Sequence, residues 1–165
     1  MNNTSHIIRT ILLIFGVMMA VAPPAGATID VTTVGNWSQP ITSSDLLGAG
    51  GSALPVTYES ARNQVALTVS GTSGYTESWH IDIQRTDNRW DSRLTLSVKR
   101  TGEGLGGGAI LGGMSYQQIG NTSTTFFSGT GDRANITLQF QLGGVSVLLP
   151  ANTYSTEITY TVVDL

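Results

Sequence analysis

The sequence predicts an all-β fold, a single antiparallel β-sandwich of about seven to nine short strands. From Thr28 onward, segment after segment alternates apolar with polar residues, which is the period of a strand with one buried face. Turns rich in glycine, asparagine and serine separate these segments, and no apolar stripe with helical spacing persists. Because parallel strands need long, usually helical crossovers, we expect the strands to pair antiparallel in two packed sheets, and a small barrel is the main alternative.

Two neighbouring segments carry the clearest alternation. The first has its apolar residues on one side of the predicted strand: Tyr75, Trp79, Ile81 and Ile83. This register predicts that Trp79 is buried and that the next residue, His80, lies on the polar face. Residues 94–99 alternate in the same way, and the turn-forming residues 86–89 (TDNR) lie between the two segments. The pattern predicts a β-hairpin.

The remaining strands are predicted by the same alternation. They are expected at 65–69, 136–142, 145–149 and 154–162, with shorter ones at 55–59, 115–119 and 124–128. The glycine-rich stretches 43–52 and 102–113 are predicted to be loops. The second contains a G-x-G-x-x-G pattern, but no helix is predicted after it, which argues against a nucleotide site.

Residues 1–27 predict a cleaved secretory signal peptide. A polar start with one arginine precedes the apolar run Thr10 to Ala22, which is much shorter than the roughly 20 residues that span a bilayer. Two prolines end the run, and small residues at Ala25 and Ala27 suit a signal peptidase. We therefore expect the domain 28–165 to be extracellular or at the cell surface, with no membrane insertion after cleavage.

Composition limits the partners of the mature chain. It has no cysteine, so no disulfide holds the fold. Cleavage would leave seven basic and eleven acidic residues, and Lys99 is the only lysine. This acidic surface has no long-range attraction for phosphate backbones, so nucleic acid is not an expected partner.

Catalytic and metal-binding patterns are weak. His80 is the only histidine of residues 28–165, and Asp82 is its neighbour on the same face. A catalytic triad would also need a nucleophile facing the histidine. The aspartates at 82, 87, 91 and 132 fit no calcium-loop spacing. The sequence therefore predicts neither an enzyme nor a metal site, and it implies no cofactor.

The start of the mature chain is a further strand candidate. Its inward side would carry Ile29, Val31, Gly35 and Trp37. A strand at a free chain end, residues 28–37, can complete the sheet of another copy through main-chain hydrogen bonds and alternate side-chain pockets. It can equally be the first strand of its own sandwich. The residues leave both interpretations open.

The C-terminal segment resembles known exported proteins. The phrase Leu149-Pro150-Ala151-Asn152-Thr153-Tyr154, followed by Ile158-Thr159-Tyr160-Thr161-Val162, is similar to the closing strand of spore-coat-U-type proteins and pilus subunits. The resemblance implies an immunoglobulin-like sandwich and, for the pilus subunits, donation of the leading strand to a neighbour. The chain departs from these pilus subunits in having no cysteine pair and no tyrosine one place from its C-terminus.

Two functions follow as expectations. The first is an exported structural subunit that forms a homopolymer, a pilus-like fibre or surface layer, by strand donation. The alternative is a monomeric secreted module that binds carbohydrate or another surface through Trp37, Trp79 or Trp90. Arg85, Arg89 and Arg93 surround Trp90 in sequence, which predicts a cation–π contact at an exposed aromatic residue.

Overall fold

The computed structural model describes residues 29–165, so the predicted signal peptide lies outside the described residues. Residues 29–165 form two antiparallel sheets that pack as a sandwich, and their only helix is the 3-10 turn Ser43–Asp45. The predicted fold class is confirmed. The strands are β1 (Asp30–Val34), β2 (Thr57–Glu59), β3 (Val65–Ser70), β4 (Ser78–Arg89), β5 (Thr95–Arg100), β6 (Ile110–Gly112), β7 (Gln117–Gln118), β8 (Thr124–Thr130), β9 (Arg133–Gly143) and β10 (Ser155–Asp164).

Strand order assigns the strands to two sheets. The larger sheet has the order β1-β3-β9-β5-β7, and β2 also pairs with β9. The smaller sheet has the order β10-β4-β8-β6. The described residues contain ten strands, slightly more than predicted, because β2, β6 and β7 have only three, three and two residues. Within residues 29–165, no helix is long and apolar enough to cross a membrane.

The core lies between the two sheets. On the inner face of each sheet, alternate residues bury their apolar side chains away from water. This burial is the main favourable term in folding. The fully buried side chains come from both sheets: Leu67, Trp79, Ile81, Ile83, Leu96, Ile136, Leu138 and Phe140. The alternation seen in the sequence therefore identifies the inward face of most strands correctly.

The predicted hairpin is wrong. β4 belongs to the smaller sheet and β5 to the larger one, so the two strands do not pair. Residues 86–89 continue β4 because β10 pairs with them through Ser155 to Glu157. The chain turns only at Asp91, whose side chain accepts from the backbone N–H of Arg93 at 3.0 Å. The turn residues predicted from the sequence thus lie in a strand, since pairing with β10 satisfies their backbone groups.

The strand predicted at 145–149 is also wrong. β9 ends at Gly143, and the residues that follow form turns before β10. Gly144 has φ +76°, and a Cβ there would collide with the carbonyl of Arg93. This close approach requires glycine and directs the chain out of the sheet. Val145 and Leu149 are buried individually, whereas Val147 is exposed.

Tyr75 does not take the inward position predicted for it. β4 begins at Ser78, and Tyr75 is 73% exposed in the preceding turn. Its ring lies against Gly107, where any side chain would collide with it. The glycine-rich stretch 102–113 is mostly loop, as predicted, but it contains the short β6. Its Gly107 also leaves room for the Tyr75 ring.

Candidate functional site: the edge strands β1 and β10

The two outermost strands on one side of the sandwich are β1 and β10. β1 ends the larger sheet and β10 ends the smaller sheet. Their Cα atoms come within 8 Å of each other, although no strand pairing joins them among the described residues. The two sheets therefore meet at a seam that is bordered by two unshared strand edges.

In this chain β1 pairs with its own β3. The antiparallel register runs from Asp30 opposite Ser70 to Val34 opposite Ala66. Ile29 is buried and Val31 half-buried, whereas the alternate residue Val34 is 75% exposed. The predicted alternation is present, and the strand covers only a small part of the core.

β1 ends at a glycine that the backbone geometry requires. Gly35 has φ +112°, a conformation that L side chains rarely adopt. A Cβ at this position would also collide with the carbonyl of Gln64. Beyond it, Trp37 is buried and stacks on Phe140 with ring centroids 6.3 Å apart. Gly35 thus separates a thinly buried strand from a firmly anchored segment, which is the arrangement of a hinge.

β10 has an open edge along its whole length. Its ten residues pair with β4 on one side, and no strand of residues 29–165 pairs with the other side. An unpaired edge presents a row of N–H and C=O groups that can accept a further strand. Edges are usually protected by lysine, proline or inward charges. β10 contains neither lysine nor proline, and its protective features are the two carboxylates Glu157 and Asp164 and a bulge between Ser155 and Thr156.

The tryptophans do not form a binding platform. Trp79 is fully buried, as predicted, and its Nε1–H donates to the carbonyl of Gly131 at 2.8 Å. Trp37 is buried as well. Trp90 is half-buried, and its Nε1–H donates to the carbonyl of Leu94 at 3.0 Å. Two of the three tryptophans are therefore in the core, and the third is partly covered.

The predicted cation–π contact is present at Trp90. The guanidinium carbon of Arg85 lies 5.1 Å from the ring centroid. Arg93 instead pairs with Asp91, with 2.6 Å between Nη2 and Oδ2. Hydrogen bonds from Arg93 lower the pKa of Asp91 to about 2. Arg85 thus covers one face of Trp90, and the Asp91–Arg93 contacts lie within the 90–94 turn.

His80 has an acidic neighbour but no assembled nucleophile. Its Nε2 lies 3.3 Å from Oδ1 of Asp82, which also accepts from the hydroxyl of Thr125 at 2.8 Å. Ser128 is opposite His80 in the register of β4 and β8. No hydrogen bond joins them in the described chain, so the geometry lacks the proton path of a triad. Among residues 29–165, no three potential metal ligands are grouped together.

Sequence reasoning missed two features of the structure. The sequence predicted the strand β10 but not its open edge. Alternation shows which side of a strand is buried, and it does not show whether another strand lies beside it. It also missed the inward-pointing Arg100 and Arg133, which are almost fully buried. Arg100 donates to the carbonyls of Gly102 and Gly112 and thereby fastens the glycine-rich loop.

Comparisons with family models, with curated proteins and with solved structures find no match for this chain.

Proposed function

We propose that this protein is an exported structural subunit that assembles with copies of itself by exchanging its N-terminal strand. The observation that carries the proposal is the seam, where the edge strand β1 lies beside the open edge of β10. Neither edge has the lysine or proline that normally prevents association between sheets. Export rests on the signal-peptide pattern of residues 1–27.

Exchange of β1 needs little reorganisation. The strand would leave its own β3, rotate about Gly35 and pair with the β3 of a neighbouring copy. The exchanged state repeats the pairings of the closed one, so the free-energy difference is confined to the hinge and to the contacts between copies. If each copy donates its strand to one neighbour and receives a strand from another, the contact is heterologous and extends into an open chain of subunits, whereas a reciprocal swap would close into a dimer. The open edge of β10 supplies a second place for strand addition beside the first.

The alternative is a monomeric module that binds carbohydrate or another surface. The buried positions of Trp37 and Trp79 remove two of its three candidate side chains. Tyr75, which is exposed and held against Gly107, is the aromatic residue that remains available to it. A monomeric binding module would not need the open strand edges, so we favour assembly.

A pair of introduced cysteines tests the exchange directly. Thr32 on β1 lies opposite Thr68 on β3, and residues directly opposite in an antiparallel pair are about 4.5 to 5.5 Å apart between Cα atoms, within reach of a disulfide. The natural chain has no cysteine to interfere. Assembled Thr32→Cys/Thr68→Cys protein is oxidised and run on a denaturing gel without reductant. Exchange joins successive copies covalently, so a ladder of multimers is expected.

The matched control places the cysteines on two central strands. Ser97 of β5 lies opposite Gln141 of β9, and neither strand can leave the sheet without unfolding. Ser97→Cys/Gln141→Cys protein should therefore give internally cross-linked monomers only. If sedimented Thr32→Cys/Thr68→Cys fibres also yield only monomers, strand exchange is wrong. If the unmodified protein stays monomeric at high concentration, the monomeric binding module becomes the better account.

A further inference from the structure

A small cluster of polar side chains lies on the outer face of the larger sheet. Its members come from four neighbouring segments of that sheet: Glu59 of β2, Gln139 of β9, Lys99 of β5 and Tyr116 beside β7. Lys99 is the only lysine of the sequence. It is partly buried and makes no ion pair with any of residues 29–165. A lysine usually keeps its ammonium group in water or pairs it with a carboxylate, so this position is unusual.

A buried amide faces this lysine. Gln139 lies directly opposite Lys99 in the β5/β9 pair. Opposite residues have Cβ atoms about 4.5 to 5.5 Å apart, so the flexible four-carbon stem of lysine can bring its amine to the amide carbon of Gln139. Gln139 is 7% exposed, and its Nε2 donates to the carbonyl of Ser60 at 2.9 Å and to Oε2 of Glu59 at 3.3 Å. The two hydrogen bonds hold the amide nitrogen beside the carboxylate.

Tyr116 covers the amine. Nζ of Lys99 lies 4.2 Å from the centroid of the tyrosine ring. Burial and the nearby Glu59 carboxylate raise the pKa of the Tyr116 hydroxyl to about 12, so this side chain extends from Lys99 toward Glu59. An amine, an amide and a carboxylate are therefore gathered beside one aromatic ring.

We propose that Lys99 and Gln139 form an intramolecular isopeptide bond, with Glu59 as the catalytic acid and base. The Glu59 carboxylate accepts a proton from the Lys99 ammonium group, and the free amine attacks Cδ of Gln139. Glu59 then gives this proton to Nε2, and the Cδ–Nε2 bond breaks. The leaving ammonia takes the second proton of the attacking amine and departs as ammonium. One C–N bond replaces another, so the step needs no oxidant, reductant or activated donor.

The fold supplies what makes this reaction slow in solution. Two groups held in a productive position react as if their concentration were about 10⁵ to 10⁸ M. Lys99 and Gln139 are held by a central strand pair, and Glu59 lies at the leaving nitrogen. Gln141 provides the contrast. Its Nε2 also donates to Glu59, at 3.1 Å, but the residue opposite it is Ser97, so no amine faces this second amide.

The bond would join β5 to β9 in the middle of the larger sheet. It closes the chain between residues 99 and 139 and restricts the unfolded state as a disulfide does, in a sequence that has no cysteine. The inference does not rest on strand exchange, because β5 and β9 stay in place when β1 leaves.

Mass spectrometry of the purified, folded protein tests the bond. The intact mass should be lower by one ammonia than the mass of the sequence, and Lys99→Arg should restore the full mass. Trypsin should release residues 94–100 joined to residues 134–165, because a bonded Lys99 is not cleaved and no lysine or arginine follows Arg133. The joined peptides distinguish this bond from loss of ammonia at an asparagine. If folded protein that has been stored for days yields a free peptide ending at Lys99 and an unmodified 134–165, the bond does not form and the inference is wrong.

Two variants test the role of Glu59. Glu59→Gln still accepts a hydrogen bond from Gln139 but carries no proton, so the joined fraction should rise about a hundredfold more slowly after synthesis. Gln141→Ala removes only the second hydrogen bond to Glu59 and should form the bond at nearly the natural rate. Circular dichroism checks that both variants are folded. If Glu59→Gln forms the bond as fast as the natural protein, Glu59 is not the catalytic group.

Discussion

Replacing Trp79 by alanine should remove a large part of the stability of the fold. The side chain is 0% exposed, and its ring meets Phe127 edge-on with centroids 6.1 Å apart. Gly129 lies beneath it so closely that an added Cβ would be 2.6 Å from the ring. The Nε1–H also donates to the carbonyl of Gly131, which ties β4 to the turn before β9. Alanine would leave a cavity and an unpaired carbonyl.

The expected loss is about 3 to 5 kcal/mol for Trp79→Ala, the usual range for deleting a large buried aromatic side chain. The matched control is the next residue on the same strand. His80 is only partly buried and its Nε2 lies 3.3 Å from Oδ1 of Asp82, so His80→Ala should change the free energy of unfolding by less than about 1 kcal/mol. Domains of this size are stable by about 5 to 15 kcal/mol, so the first variant should be folded but marginal.

Urea unfolding followed by far-ultraviolet circular dichroism measures both variants without relying on tryptophan fluorescence. With an m-value near 2 kcal/mol/M, Trp79→Ala should lower the midpoint by roughly 1.5 to 2.5 M and His80→Ala by less than about 0.5 M. Trp79→Phe should fall between them, since it keeps an aromatic ring but loses the hydrogen bond to Gly131. Equal losses of stability for Trp79→Ala and His80→Ala would show that the assignment of inward and outward residues on β4 is shifted by one residue.

Two tyrosines make further predictions. The hydroxyl of Tyr160 is buried and has no hydrogen-bond partner among the described residues. Tyr160→Phe should therefore leave the free energy of unfolding unchanged or raise it by about 1 kcal/mol, measured by urea unfolding. A clear loss would reveal a partner for the hydroxyl. Burial and the nearby Glu59 carboxylate raise the pKa of Tyr116 to about 12, so the folded chain holds this proton after the unfolded chain has released it. Stability should therefore fall as pH rises from about 10 to 12, and Tyr116→Phe should make denaturant midpoints fall less steeply over that interval.

Alternation in the sequence determined most of the segments that form strands and the side to which their residues face, although it also predicted a strand at 145–149 that does not form. The pleat places successive side chains on opposite faces, so the pattern is local and can be read from adjacent residues. It predicted the burial of Trp79 beside the partly buried His80, and the inward and outward positions along β9 and β10. It also predicted the alternation of Ile29 and Val31 in the segment that forms β1.

Only the tertiary structure decided which strands are neighbours. Main-chain hydrogen bonds are nearly independent of side-chain identity, so the sequence carried no signal that residues 86–89 would pair with β10 instead of turning toward β5. The position of the Tyr75 ring likewise depends on Gly107, against which it lies and which is distant in the sequence.

The candidate site divides in the same way. The sequence determined the strand character of β1, because a period of two is a property of adjacent residues. The open edge of β10 arises only when the smaller sheet is complete. A strand has an open edge when no other strand pairs with it on that side, and this depends on how the whole chain folds.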